Sequence, residues 1–412
     1  MEYKRTKTAC FLACFTMAVA FSLPPVLFVP LREQYGISYT LLGTLVLVNF
    51  VTQMGVDLLF TLFARWFPVK WLGKTMPLVT TFGFVVYALG PTLFPQQAYV
   101  WLLIGTVIFS VAAGLSEVLL SPIVAAIPSE RPQRDMSLLH SLYGFGVLTV
   151  VVVSTLFLQA FGSERWMVLT LMLAALPLVP AVLFLVSPMP ELSTRPPLGG
   201  RRRNRRQVWG MALCVACIFF GSCAECTMSS WASGFAERAL GVDKATGDLL
   251  GMAVFAVLLA VTRVVYAKYG KRILPVLLIG MGGATVCYLV AGLSTHTGAV
   301  LAACAMTGLF TAMLWPGNLI LMEEQFPDVG VTAFALMAVG GDLGASVAPQ
   351  LMGVVIDTVS VAPWAARLGQ TLGLSAEQIG MKAGMLTTAL FPLLGVILLL
   401  IMIPFFKKKE QA

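Results

Sequence analysis

Four acidic residues lie deep inside long apolar runs of this chain: Asp57, Glu117, Glu225 and Asp342. A carboxylate near the middle of a bilayer costs several kcal/mol unless it pairs, hydrates or takes a proton. Removal from water penalises the charged form. A carboxyl group that loads a proton on one side and loses it when its hydration changes meets the physical requirement for proton coupling. Glu117 is the leading candidate, with Ser121 one turn along the same face and Gly114 almost one turn back. The structural alternative is an acid bonded to a neighbouring helix. Glu225 stands among Ser222, Thr227, Ser229 and Ser230, which suits either an unwound binding segment or polar packing between helices. Asp57 shares a stripe with Asn49 and Gln53 at steps of four. That face looks towards protein or a water-filled cavity, and an interhelical hydrogen-bond network is the slightly preferred reading. Asp342 is followed at the same spacing by Ser346 and Gln350. Pairing with Arg263 would make it a gate and not a proton site.

A second set of side chains suits recognition of a polar ring. Flat aromatic faces cover its apolar side, while amides and hydroxyls read its oxygens. Trp231, Trp315, Asn318, Asn49 and Gln53 are candidates of this kind. For the tryptophans an interfacial or core position is at least as good a reading. For the amides, helix–helix hydrogen bonding is. His140 and Tyr143 open the fifth apolar run. A lone histidine there relays protons near neutral pH or, more commonly, is a hydrogen-bonded packing residue.

Other chemistries find no support. Cys214-x-x-Cys217 and Cys223-x-x-Cys226 have zinc-like spacing. They share one apolar helix, however, where Cys223 points roughly opposite Cys214, so small apolar packing is the better account. The chain has no G-x-x-x-x-G-K-[ST], HExxH or G-x-S-x-G motif and only two histidines. Those absences count against an ATP-driven pump, an enzyme and a multi-histidine metal site. No cofactor is expected.

The elements that position these residues follow from composition. Of 412 residues, 58% are hydrophobic and 11% charged, against about a quarter charged in a soluble domain. A bilayer core needs roughly 20 apolar residues per helix. Twelve such runs are read at 8–31, 40–64, 73–92, 98–125, 138–162 and 166–187, then 208–234, 246–267, 273–292, 298–322, 330–356 and 382–405. The first continues past Pro24 and Pro25 without a small-residue cleavage site, so it reads as a span and not a signal peptide. Most of the 27 basic residues fall in loops on one side: Lys4, Arg5 and Lys7; Arg65, Lys70 and Lys74; the run Arg201–Arg206; Arg263 to Arg272; and Lys407 to Lys409. The net charge of +8 therefore concerns topology and not nucleic acid. The bias predicts both termini in the cytoplasm of a cell whose inner (plasma) membrane holds the chain.

The polar linker 188–207 divides the chain into an N-terminal six-helix bundle (1–187) and a C-terminal one (208–412). The halves echo each other. Leu41-Leu42-Gly43 opens the second span and Leu249-Leu250-Gly251 the eighth. Gly114 and Pro122 in the fourth match the spacing of Gly308 and Pro316 in the tenth. Gly144-Phe145-Gly146 in the fifth is matched by Gly341-Asp342-Leu343-Gly344 in the eleventh. The expected fold is an all-α membrane protein of twelve transmembrane helices in two pseudo-symmetric halves, with substrate between them.

This architecture resembles the major facilitator superfamily. Within it, Gly114-Leu115-Ser116-Glu117-Val118-Leu119-Leu120-Ser121-Pro122 is similar to the fourth-span motif of the fucose permease family of sugar–proton symporters, with Ser121 where Asn is usual. Ser137-Leu138-Leu139-His140-Ser141-Leu142-Tyr143-Gly144-Phe145-Gly146 resembles that family's fifth-span pattern, and Glu225 with Trp231 a seventh-span pairing. The first span lacks the acidic residue that family carries there. Ala64-Arg65-Trp66-Phe67-Pro68-Val69-Lys70 keeps the basic residues of the superfamily's gating motif and lacks its Asp. Arg65, Lys70 and Arg263 are thus gating candidates. The resemblance implies a monomeric secondary transporter in membrane lipid, taking up a sugar or similar small polar metabolite with protons by alternating access. Two alternatives stand beside it. One is proton-driven efflux of amphipathic compounds; the other, of a different class, is a transporter-like sensor or intramembrane enzyme.

Overall fold

A computed structural model describes residues 3–63, 66–130, 132–190, 205–326 and 331–407. Among the described residues, twelve helices are long and apolar enough to cross a membrane: Lys4–Val26, Tyr39–Phe60, Lys70–Leu93, Pro95–Ala126, Arg134–Phe161, Ser163–Leu185, Arg205–Leu240, Lys244–Tyr269, Ile273–Leu293, Thr297–Gln325, Ala335–Ser360 and Ala376–Phe406. They are called the first to twelfth spans below. The run 191–204, which holds most of the basic linker, lies outside the described residues.

The chain forms two compact units. One comprises Met1–Ile37 and Val48–Arg195; the other comprises Ser38–Leu47 and Pro196–Ala412. The first turns of the second span therefore belong with the second unit. Asp357, at the end of the eleventh span, accepts the backbone N–H groups of Tyr39 (3.1 Å) and Thr40 (2.6 Å). These are donors that a helix cannot satisfy internally at its start. The Tyr39 hydroxyl also bonds to the Glu377 carboxylate.

Within each unit, small residues let helix backbones meet. In the first, a Cβ at Gly146 would lie 2.3 Å from the Phe15 carbonyl oxygen, so the fifth span sits directly on the first. In the second, a Cβ at Gly344 would lie 2.2 Å from the Phe219 carbonyl oxygen, so the eleventh sits likewise on the seventh. Gly114 brings the fourth span against Gln53 and Val56 of the second, and Gly308 brings the tenth against Phe255 of the eighth. The residues that repeat in the sequence therefore make equivalent contacts in the two units.

The equivalence breaks at the prolines. The fourth span runs through Pro122 as one helix, Ala98–Ala126. The tenth divides into Thr297–Thr311 and Pro316–Gln325. The eighth span contains a π-helical turn over Asp248–Ala253. Two shorter helices, Phe28–Tyr35 and Pro363–Leu372, are too short to cross a bilayer.

Candidate functional site

The first unit gathers Asp57 and Glu117. Contact at Gly114 holds the second and fourth spans close. Asp57 stands one turn beyond Gln53, and Glu117 nearly one turn beyond Gly114, so the two carboxyl groups interact electrostatically. The side chain of Glu117 is accessible. Asp57 is half-buried, and its Oδ1 has no hydrogen-bond partner among the described residues. Neither acid forms an ion pair among those residues. Cys14 of the first span also lies within electrostatic reach of Glu117. Tyr143 meets Phe21 edge-on at 5.7 Å. The side chain of His140 lies outside the described residues, as does all of Arg65; Lys70 is exposed.

Asn49 and Gln53 form part of a buried network. The Gln53 amide donates to Asn49 Oδ1 (2.8 Å), and Ser110 Oγ donates to the same oxygen (2.7 Å). The Asn49 amide in turn donates to the Ala20 carbonyl at 3.3 Å. This network ties the first, second and fourth spans together. In this conformation both amides are occupied by packing.

The second unit places Glu225 against Arg263. Arg263 Nη2 donates to Glu225 Oε1 at 3.0 Å. Its Nε donates to the Ala312 carbonyl at 2.9 Å. The second bond has a local cause. Pro316 lacks the N–H that would bond the carbonyl four residues back, which is that of Ala312. The helix resumes at Gly317, whose N–H reaches Met313 O at 2.8 Å. The proline thus exposes a backbone acceptor that the arginine takes. Glu225 Oε2 has no hydrogen-bond partner among the described residues. Asp342 is buried nearby: Cys226 senses the charges of Glu225, Asp342 and Arg263 together. The carboxylate that Arg263 holds in an ion pair is Glu225, whereas the sequence suggests Asp342.

The aromatic and amide candidates separate here. Trp315 is half-buried and covers Gly341, where a Cβ would come within 2.4 Å of the indole. It therefore sits beside Asp342. Trp231 is fully buried, donates its indole N–H to the Pro349 carbonyl (3.0 Å) and packs on Tyr39 (5.8 Å between centroids). Asn318 is fully buried and donates to the Leu314 carbonyl at 2.6 Å. Both are engaged in holding the fold.

Several charged residues were not singled out by the sequence. Asp248 is fully buried, with Lys244 Nζ at 3.5 Å, and Lys244 also reaches Ser233 Oγ at 3.3 Å. Asp357 holds the start of the second span. Both acids lie near span ends, away from the four set deep inside the apolar runs. The turn-wise spacing of Lys244 and Asp248 was the available signal.

A sequence profile described as Major Facilitator Superfamily matches residues 9–349. This chain belongs to that superfamily. Among solved structures, a bacterial homolog of the human lysosomal transporter Spinster is 14% identical, covers 98% of this chain and 98% of its own, and has a TM-score of 0.73. A D-xylose-proton symporter is 14% identical over 95% of this chain and 97% of its own, also with a TM-score of 0.73. The E. coli fucose:proton symporter is 15% identical over 98% and 99%, with a TM-score of 0.57. At these identities the likeness concerns the fold. No curated protein sequence matches this chain closely enough to count as a relative. The superfamily member described here is a multi-pass membrane transporter of small molecules and not an enzyme.

Proposed function

We propose that this transporter couples proton entry to uptake of a sugar or similar small polar metabolite, by alternating access, as a monomer in the inner (plasma) membrane with both termini cytoplasmic. The observation that carries the reading is the Asp57–Glu117 pair. Two interacting carboxyl groups, one of them accessible and neither held by a cation among the described residues, form a group that takes up and returns a proton. Two structural neighbours are described as proton symporters of D-xylose and fucose. Glu117 is the leading protonation site and Asp57 its partner. Among the aromatic candidates, Tyr143 in the first unit and Trp315 in the second are each partly accessible, and each is a candidate for contact with the apolar side of a sugar. Glu225, Arg263 and Asp342 form a second charged group, in which Arg263 is the gating candidate.

The test is transport in proteoliposomes with radiolabelled D-xylose and L-fucose, comparing wild type with Glu117→Gln. Loss of proton-driven accumulation with retained exchange supports coupling through Glu117. Unchanged accumulation removes it from that role.

One observation favours efflux of amphipathic compounds. An open apolar groove of about 530 Å³ in the second unit is lined by residues including Met211, Val215, Phe219, Leu336 and Leu343. It contains none of the carboxylates above. Proton-dependent extrusion of a lipophilic cation, with no sugar transport, would decide for efflux.

A further inference from the structure

The short helix Pro363–Leu372 joins the eleventh and twelfth spans and has no place in the transport reading. Both of its ends are fixed. Pro363 occupies the first turn, where a missing N–H costs nothing, and Gly373 closes the helix at φ 67°. Ser375 and Gln378 then start the twelfth span with reciprocal bonds: Gln378 Oε1 accepts Ser375 N–H (2.8 Å), and Ser375 Oγ accepts Gln378 N–H (3.1 Å). Only two residues separate the helix from Ser360, and three separate it from Ala376. A helix tied this closely to the same-side ends of two membrane-crossing spans lies at the bilayer surface.

Its three faces differ. Ala365 and Gly369 are buried against the protein. Trp364, Leu368 and Leu372 step at intervals of four along a neighbouring stripe and are 53%, 42% and 50% exposed. Arg367 and Gln370 occupy the far side and are exposed. At about 100° per residue, the apolar stripe and the polar face point in clearly different directions. Leucines and a tryptophan beside a polar, basic face form the pattern of a helix lying in the plane of the interface.

We propose that Pro363–Leu372 is a lipid-docking helix, with Trp364, Leu368 and Leu372 sunk into the boundary between headgroups and acyl chains and Arg367 and Gln370 held in water. The occupant of the stripe is the bilayer itself. The short connections on both sides place it there, and Trp is the side chain that favours this depth. The rigid ends set the rotation of the helix, so the lipid contact also fixes how the eleventh and twelfth spans stand in the membrane.

The experiment places a nitroxide label at W364C, R367C, L368C, Q370C and L372C, one at a time, in the full chain in phosphatidylcholine nanodiscs. The labelled unsubstituted protein serves as background for its own thiols. Collision with oxygen, which concentrates in lipid, is compared with collision with a water-soluble nickel chelate. The expected result is an oxygen-to-nickel ratio severalfold higher at 364, 368 and 372 than at 367 and 370. Equal nickel access at all five sites overturns the proposal by placing the helix in water. Shielding of the stripe from both probes also overturns it, because protein or a second copy would then be the cover.

Discussion

Arg263→Met tests whether a proline-freed carbonyl and a carboxylate are the two anchors of this arginine. The substitution keeps the stem and removes the guanidinium. It leaves Glu225 without its cation and the Ala312 carbonyl without its donor. A hydrogen bond to a charged group contributes about 1.5–3 kcal/mol, and an orphaned buried acceptor costs about 1–3 kcal/mol. The side chains of Arg263 and Glu225 are 36% and 17% exposed, so water screens part of the pair and the lower ends apply. The expected loss is about 2–3 kcal/mol, measured as the shift in denaturant midpoint of the detergent-solubilised protein. Pro316→Ala supplies the missing N–H to Ala312. In that background Arg263→Met should cost about 1 kcal/mol less than in the wild type, because the carbonyl regains an intrahelical donor. Glu225→Gln should cost the same in both backgrounds, since it does not touch the carbonyl. Strict additivity of Arg263→Met and Pro316→Ala would refute the reasoning.

Further outcomes follow from the same geometry. Gly146→Ala, which drives a methyl to 2.3 Å from the Phe15 carbonyl oxygen, should destabilise the protein by about 1–3 kcal/mol, whereas Gly144→Ala meets open space and should leave the thermal midpoint within a degree or two. Asp357→Ala removes the acceptor for two backbone N–H groups at the start of the second span and should cost about 1–2 kcal/mol in thermal unfolding, with Asp357→Asn intermediate. Asp243, between the seventh and eighth spans, caps Thr246 N–H at 2.9 Å, and hydrogen bonding from the Thr246 side chain and then from this N–H holds its carboxyl below the usual range. The folded protein therefore favours the ionised form: the cap contributes above the unfolded-state pKa and is lost as pH falls through the lower folded value. The protection factor of the Thr246 amide, the free-peptide exchange rate divided by its own rate at the same pH, should fall at acid pH in the wild type and be low at all pH values in Asp243→Ala.

The sequence by itself determined the class of the protein. Twelve apolar runs of bilayer length leave few folds open, because every backbone polar group in lipid must be bonded internally. The repeat was equally legible: Gly146 and Gly344, and Gly114 and Gly308, occur at matching places because each is where two helix backbones meet, and only small residues permit that approach. Periodicity likewise set Asn49, Gln53 and Asp57 on one face. What the tertiary structure alone decided was which partner each polar group takes. Pro122 and Pro316 look alike in sequence, yet only the tenth span breaks, and there an arginine from the eighth reaches the exposed carbonyl. Arg263 had two carboxylates to choose from, and its ion pair is with Glu225. For Trp231 and Asn318 the sequence left sugar contact and packing both open, and the fold turns them towards backbone carbonyls. Asp248 and Asp357, near span ends, are not among the four acids that stand out in the apolar runs. Their burial and bonding depend on helices distant in sequence, and hydropathy along a single chain carries no record of what lies across the next helix.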